Sequence, residues 1–346
     1  MRNGIKNILK IFMFLGFGMG ILYLVYRVNN QKYIEDCVVN GIALEDCNFL
    51  QSIINDIATT DLKWIFLAIA FYAWSNIARA IRWRMMITPL GKTPKLSNTI
   101  ATVLITHLVN LGIPRSGEFV RAGLLAKYED LEAEKVMGTI VTSRVLDVIC
   151  LLITIGLTLI LSYDNFVGYF SENDVLSLGS GSNIKGLLLA TAGIGIAGLF
   201  LLWKLRTRIL ETTIGKKIWN ILLGFWEGIL SVRKLSNPIA FILYTISIWV
   251  CYYLMTYIMF FSFEATADLA PVAGLVVFVF GTLGIVIPSP GGMGTYQFLI
   301  SEALMLYGLP FDSAFSFSNV MFFSIQIWNV LLGILAFIAL PIINRK

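Results

Sequence analysis

The chain has a single histidine, His107, so a histidine-based metal site is not expected. Charge is scarce as well: 14% of the 346 residues are Asp, Glu, Lys or Arg, against 57% hydrophobic. No stretch is polar and long enough to form a separate soluble domain, which confines any chemistry to the bilayer or its edge. No glycine-rich GxxxxGK loop occurs, so ATP bound in that manner is excluded as a driving force. Cysteine is sparse, with four in the chain. Cys150 and Cys251 lie in apolar runs and read as small buried hydrophobes. Cys37 and Cys47 bracket "CVVNGIALEDC" in a polar loop. They pair if that loop is extracytoplasmic and the geometry permits, and spacing leaves both outcomes open. No cofactor is expected.

Apolar runs of about 20 residues recur along the whole length, the mark of an all-α polytopic membrane protein. Six full spans are predicted, at 8–26, 62–84, 135–163, 185–203, 237–262 and 314–341. The first begins with basic residues, but its apolar run is long and no small-x-small cleavage site follows, so it reads as a retained helix. Two further apolar stretches, 96–127 and 270–307, are interrupted by "GIPRSGE" and "IPSPGGMG". Proline removes a helix donor and glycine loosens the backbone, so both read as re-entrant hairpins of two half-helices. A basic-apolar stretch at 209–235 reads as a helix on the cytoplasmic surface, with a solvated linker helix as the plainer alternative.

Basic residues set the orientation. With the N-terminus inside, the cytoplasmic segments hold Arg2, Lys6, Lys10, "RAIRWR" (79–84), Lys92, Lys95, Lys127, Lys135, "KLRTR" (204–208), Lys216, Lys217, Arg233, Lys234, Arg345 and Lys346. The external side keeps Arg27, Lys32, Lys63 and Lys185. Both termini are therefore expected in the cytoplasm, in a cell membrane. The net charge of +5 reflects this bias and contact with anionic lipid, not nucleic acid. "RAIRWR" itself reads first as an anchor of this kind, and second as an attractor of anionic lipid.

Residues 62–163 and 237–341 share a layout of span, broken hairpin and span. Each break opens with Ile-Pro, at Pro114 and Pro288, and glycine follows three residues later, at Gly117 and Gly291. The two blocks start on opposite sides, which is the layout of an inverted repeat within one integral membrane domain, joined by the segment 185–235. Irregular backbone at membrane depth is tolerated where it is buried in protein or lines a wet cavity. The two tips are expected to meet near the midplane, where N–H groups starting the returning half-helices would favour an anion.

Arg144 lies nine residues beyond Lys135, about 14 Å along a helix. Asp147 is one turn further. A charge at that depth costs about 2.5–3.5 kcal/mol on insertion scales, so both are candidates for function. Mutual pairing at i,i+3 is the structural alternative. Arg115, Glu118 and Arg121 flank the first break. They read either as a salt-bridged edge or as a phosphate site in which Glu118 orients Arg121 or Arg144. Asn110 and His107 sit on the incoming half-helix, the histidine reading as a packed, hydrogen-bonded residue. Gln297 follows the second break and either meets a headgroup or ties two helices.

"NLGIPRSGEFVRAGLL", "SRVLDVICLL" and "PSPGGMGTYQ" resemble the motifs of the lysylphosphatidylglycerol synthase transmembrane-region family, also described as flippase-like domain proteins. That family's pattern R-x-G-E-x-x-R falls on Arg115, Gly117, Glu118 and Arg121. Its R-x-x-D falls on Arg144 and Asp147, and its P-G-G-x-G-x-x-E on Pro290, Gly291, Gly292 and Gly294, with Gln297 in place of the closing glutamate. The resemblance runs over nearly the whole chain. It implies a lipid translocator, moving an anionic phospholipid or a polyprenyl-phosphate-linked glycan without enzymatic activity. The aminoacyl transferase domain of bifunctional members is not expected after "NRK". Alternatives are an accessory subunit that binds a glycosyltransferase, and a membrane-embedded headgroup transferase using Glu118 or Asp147. The latter is disfavoured because an acid beside arginine tends to be a poor base. A homo-oligomer is compatible with all three.

Overall fold

The computed structural model describes residues 47–163 and 235–345, apart from Pro114, Pro288, Pro290 and Gly291, together with Tyr23, Arg27, Asn30 and Ile34. The expected spans at 8–26 and 185–203, the surface helix at 209–235 and Cys37 lie outside the described residues.

Among the described residues every regular element is helical. α1 (Phe49–Ala58), in the segment read as an external loop, precedes α2 (Leu62–Ile87). α3 (Leu96–Gly112), α4 (Gly117–Glu129) and α5 (Ala133–Leu161) follow. The second block holds α6 (Pro238–Phe260), α7 (Pro271–Val286), α8 (Thr295–Met305) and α9 (Phe311–Ile343). Four of these, α2, α5, α6 and α9, are long and apolar enough to cross a membrane. α3 and α7, at 17 and 16 residues, reach about 25 Å and fall short of a 30 Å core.

Helix starts are written locally. Asp61 caps α2 by accepting from the Lys63 N–H at 3.1 Å, and the Lys63 ammonium, 2.6 Å away, holds its carboxyl below the usual range. Asn237 caps α6 by accepting from the Ala240 N–H at 3.0 Å, with Pro238 at the first helical position.

α3 and α4 fold back on each other. The Gly117 N–H donates to Asn110 Oδ1 at 2.8 Å near the tip, and Asn98 donates to Glu129 at 2.6 Å near the open end. α7 and α8 do the same: Thr295 Oγ1 donates to the Gly284 carbonyl at 2.7 Å. Gly292 and Gly294, with φ of 86° and 84°, turn this second tip through a backbone conformation that side chains disfavour. The tips meet: Arg115, itself at φ 64°, donates to the Val286 carbonyl at 3.2 Å.

Packing between the blocks follows a reciprocal scheme. The two first helices, α2 and α6, run antiparallel. The Asp61 N–H reaches the Ser262 carbonyl at one end, and Trp74 reaches Ser247 further along. α3 packs on α9 and α7 packs on α5, so each block's first half-helix lies on the other block's last helix. Asn98 and Asn344 exchange amide hydrogen bonds of 3.0 and 2.7 Å across the α3–α9 contact.

The main apolar core lies where α2 and α6 to α9 converge, around Phe260, Phe317, Ile300 and Val277. A second, around Trp83, Leu125 and Ile140, joins α2, α4 and α5. The outward faces are apolar too: Leu152, Ile153 and Ile160 on α5 and Phe337 and Ile338 on α9 are exposed. Such a surface suits lipid and would be unfavourable in water.

Candidate functional site

Four helices bring their charges together. On α2, Arg79 and Arg82 are three residues apart and project to one side. On α4 stand Glu118 and Arg121, on α5 Arg144 and Asp147, and on α6 Tyr252. Arg82 Nη2 lies 2.7 Å from Asp147 Oδ1 and donates to Ser143 Oγ at 2.9 Å. Arg79 Nη1 lies 3.5 Å from Asp147 Oδ2, and its Nη2 donates to the Tyr252 hydroxyl at 2.8 Å. Arg144 Nη1 is more distant, 3.8 Å from Asp147 Oδ2, and its closer partner is Glu118 Oε1. Arg144 lies about 17 Å along α5 from its start.

Arg121 is held differently. Its guanidinium lies 3.6 Å from the centroid of the Trp83 ring. Trp83 is fully buried and its Nε1 donates to Thr139 Oγ1 at 2.9 Å, which fixes the plane of the ring. Cation–π contact replaces a carboxylate here. Among the described residues, four guanidinium groups thus face two carboxylates, and positive charge is in excess. Arg79 Nε, Arg82 Nε and Nη1, and Arg121 Nε are buried without a hydrogen-bond acceptor among the described residues. Unmet buried donors of this kind are uncommon and call for an explanation.

The cluster is not sealed. Arg144 is 46% exposed and Glu118 23%, while Phe119, Val120, Val141 and Val148 beside them are exposed apolar side chains. Its open edge lies between α4 and α5, where charge adjoins an apolar surface. On the inner side the cluster grades into uncharged polar groups. His107 Nε2 lies 2.8 Å from Asn76 Oδ1, Asn76 donates to the Tyr72 carbonyl, and the Tyr72 hydroxyl donates to Asn329 at 2.6 Å.

Of the residues expected from sequence, Glu118, Arg121, Arg144 and Asp147 are gathered here. Glu118 pairs with Arg144 and not with its helical neighbour Arg121. Arg115 stands at the hairpin tip, bonded to the other hairpin. The tips themselves do not present a bare row of N–H groups. The Gly117 N–H is taken by Asn110, and the Gly294 N–H by Gln297 Oε1 at 2.8 Å. Gln297 is fully buried and acts as a cap; Pro290 and Gly291 lie outside the described residues. Arg79 and Arg82 are the main omission of the sequence reading. Assigned to anchoring, they are ion-pair partners, Arg82 buried and Arg79 partly so, and only Arg84 of "RAIRWR" turns to the loop, donating to the Pro94 carbonyl at 2.8 Å. The usable signal was an i,i+3 arginine pair inside a helix that runs on to Ile87.

A family model described as the lysylphosphatidylglycerol synthase TM region matches residues 49–333, a range that runs from the start of α1 into α9. The chain belongs to this family. Among curated proteins it is similar to a UPF0104 membrane protein of Methanocaldococcus jannaschii. The two are 23% identical over 320 residues, covering 86% of this chain and 90% of the relative. No solved structure matches. The family match covers the arginine cluster and both hairpins, and it makes the chain a membrane protein of the family's transmembrane type.

Proposed function

We propose that this protein moves an anionic lipid, either a phospholipid or a polyprenyl-phosphate-linked glycan, across the cytoplasmic membrane, without itself being an enzyme. One observation carries the reading. Four guanidinium groups face two carboxylates, with buried N–H groups unmet, at an edge that adjoins apolar surface. A phosphate offers the charge and the acceptors that are missing, and guanidinium suits it because its planar fork donates in pairs. The lipid tails would stay in the bilayer alongside α4 and α5 while the headgroup enters between them. Arg144, with Glu118 holding it, would meet the headgroup first.

The two blocks would form an inverted repeat, with six full spans in all and both hairpins re-entrant. The reciprocal packing of α3 on α9 and α7 on α5 supports this. Rocking of one block against the other would then alternate access. Single cysteines in a cysteine-free background test the hairpins. An impermeant reagent is expected to reach positions 92 and 130 from the cytoplasmic side and positions 268 and 308 from outside. Labelling of 92 and 130 from opposite faces would mean that α3 and α4 together cross the bilayer, against the proposal.

The activity is tested by reconstituting the protein in liposomes and following headgroup-labelled anionic lipids, wild type beside Arg144→Ala. The variant is expected to lose at least about tenfold in rate, the scale of one charge-assisted hydrogen-bond pair. Undiminished movement in the variant, or none for any anionic lipid in the wild type, would reject the reading.

A further inference from the structure

The inventory of charge around the cluster is unequal in a way that bears on headgroup chemistry. Among the described residues, the carboxylates that pair with these arginines are Glu118 and Asp147, and both are engaged. Asp147 serves Arg82, Arg79 and, at longer range, Arg144. Glu118 serves Arg144. The second hairpin adds no acid at its tip, since Gln297 is a neutral amide, fully buried, with its oxygen on the Gly294 N–H. A headgroup ammonium would therefore meet arginines and find no uncommitted carboxylate in the cluster.

Arg121 stands out among the cations. It is 5% exposed, with no hydrogen bond or ion pair from any described residue, and its Nε is buried without an acceptor. The Trp83 ring holds it by cation–π contact at 3.6 Å, which leaves its N–H groups uncommitted among the described residues. Trp83 is in turn fixed by Thr139, whose hydroxyl donates to the Val136 carbonyl at 2.7 Å. A buried cation kept in place by an aromatic face, with no counter-ion among the described residues, is prepared for an anion that arrives from elsewhere.

We infer that Arg121, positioned by Trp83, is the residue that takes the headgroup phosphate, and that the site selects anionic headgroups lacking an ammonium group. This rests on the lipid reading above and narrows it. Phosphate diesters such as phosphatidylglycerol and phosphate-linked glycans qualify. Zwitterionic and aminoacylated headgroups are rejected, because their ammonium would sit among like charges. Trp83 is a positioning residue: it acts through the orientation of Arg121.

Equilibrium binding of short-chain phosphatidylglycerol and short-chain phosphatidylethanolamine to the full chain in nanodiscs tests this. The two lipids share the phosphate and differ in the ammonium. Phosphatidylglycerol is expected to bind about tenfold tighter, an increment that one unfavourable charge contact readily supplies. Arg121→Gln is expected to remove most of that preference. Arg121→Lys keeps the charge and loses the planar fork, so it should bind more weakly but keep the preference. Trp83→Leu should behave like Arg121→Gln, whereas Trp83→Phe, which retains an aromatic face, should keep the preference. A purely structural role for Trp83 would lower the amount of folded protein without altering the ratio between the two lipids. If Arg121→Gln fails to fold, the two Trp83 variants carry the same comparison. Equal binding of the two lipids by the wild type, or an unchanged preference in Arg121→Gln and Trp83→Leu, would overturn the inference. A clear binding preference without transbilayer movement in liposomes would leave the selection standing and reject translocation instead.

Discussion

Asp147→Ala is expected to lower stability by about 3–5 kcal/mol, the usual consequence of removing one partner from a buried ion pair. The reason is specific to this carboxylate. Arg82 is fully buried and its nearest countercharge is Asp147, 2.7 Å away. Arg79 and Arg144 share the same side chain at 3.5 and 3.8 Å. Without it, three guanidinium groups and Arg121 would face one another with Glu118 as their remaining acid. Thermal unfolding in mild detergent measures the effect. Asp147→Asn keeps the shape and some acceptor capacity and should fall between the wild type and the alanine variant. Removing Arg144 should be much milder in stability, because that side chain is half exposed, even though its effect on lipid movement is expected to be large. Wild-type melting in Asp147→Ala would mean that the ion pairs described here do not hold the helices together.

Gly117→Ala and Gly284→Ala are expected to destabilise the two hairpins, each by about 1–3 kcal/mol, the range for overpacking. A Cβ at Gly117 would fall against the Thr106 carbonyl oxygen and lie 2.7 Å from Asn110 Oδ1. At Gly284 it would lie 2.8 Å from the Tyr296 Cα and 3.0 Å from the Thr295 carbonyl oxygen. In both hairpins the obstacle includes backbone of the opposite arm, which cannot rotate away. The half-helices approach this closely because glycine faces the partner arm. Gly123→Ala and Gly138→Ala are matched controls. Nothing lies within 4 Å of a Cβ at either position, and both sit inside helices, where alanine is favoured by roughly 1 kcal/mol. The hairpin variants should melt earlier than the wild type and the controls should not. Equal melting of all four would remove the close-approach account of the tips.

The helices were largely legible in the sequence. The expected spans at 62–84, 135–163, 237–262 and 314–341 correspond to α2, α5, α6 and α9, each within three residues at both ends. The two interrupted stretches correspond to α3 with α4 and α7 with α8. These features are local. A run of about 20 apolar residues signals burial in lipid, and Ile-Pro followed by glycine signals a break, whatever the rest of the chain does. α1 was missed because a ten-residue helix between acidic and polar loops carries no comparable run.

The site was legible in part, both in its membership and in its pairings. Glu118, Arg121, Arg144 and Asp147 stand out because charge in an apolar helix is costly and demands a reason. The i,i+3 contact of Arg144 with Asp147 was readable and is present at 3.8 Å, but the closer partners of Asp147, Arg82 and Arg79, were not. The sequence left open whether Glu118 orients Arg121 or Arg144; it meets Arg144 on another helix, and Trp83 takes the face of Arg121. Gln297 was expected either to meet a headgroup or to tie two helices, and its Oε1 accepts from the Gly294 N–H at the start of its own helix. Arg79 and Arg82 were assigned to the cytoplasmic edge because a positive residue near a helix end satisfies the positive-inside rule wherever its side chain points.

Composition, apolar periodicity and the two proline-glycine breaks by themselves determined a helical membrane protein with two interrupted apolar stretches, and with arginines and acids inside its apolar helices. Those properties depend on each residue's own preference for lipid or water and on the neighbours within a few positions of it. Only the tertiary structure decided that Arg79 and Arg82 join the cluster, that Asp147 is shared among three arginines, and that Arg121 has no counter-ion among the described residues. Those outcomes depend on how α2, α4 and α5 are rotated about their axes and packed together, and a contact between residues sixty positions apart leaves no mark in the spacing of either segment.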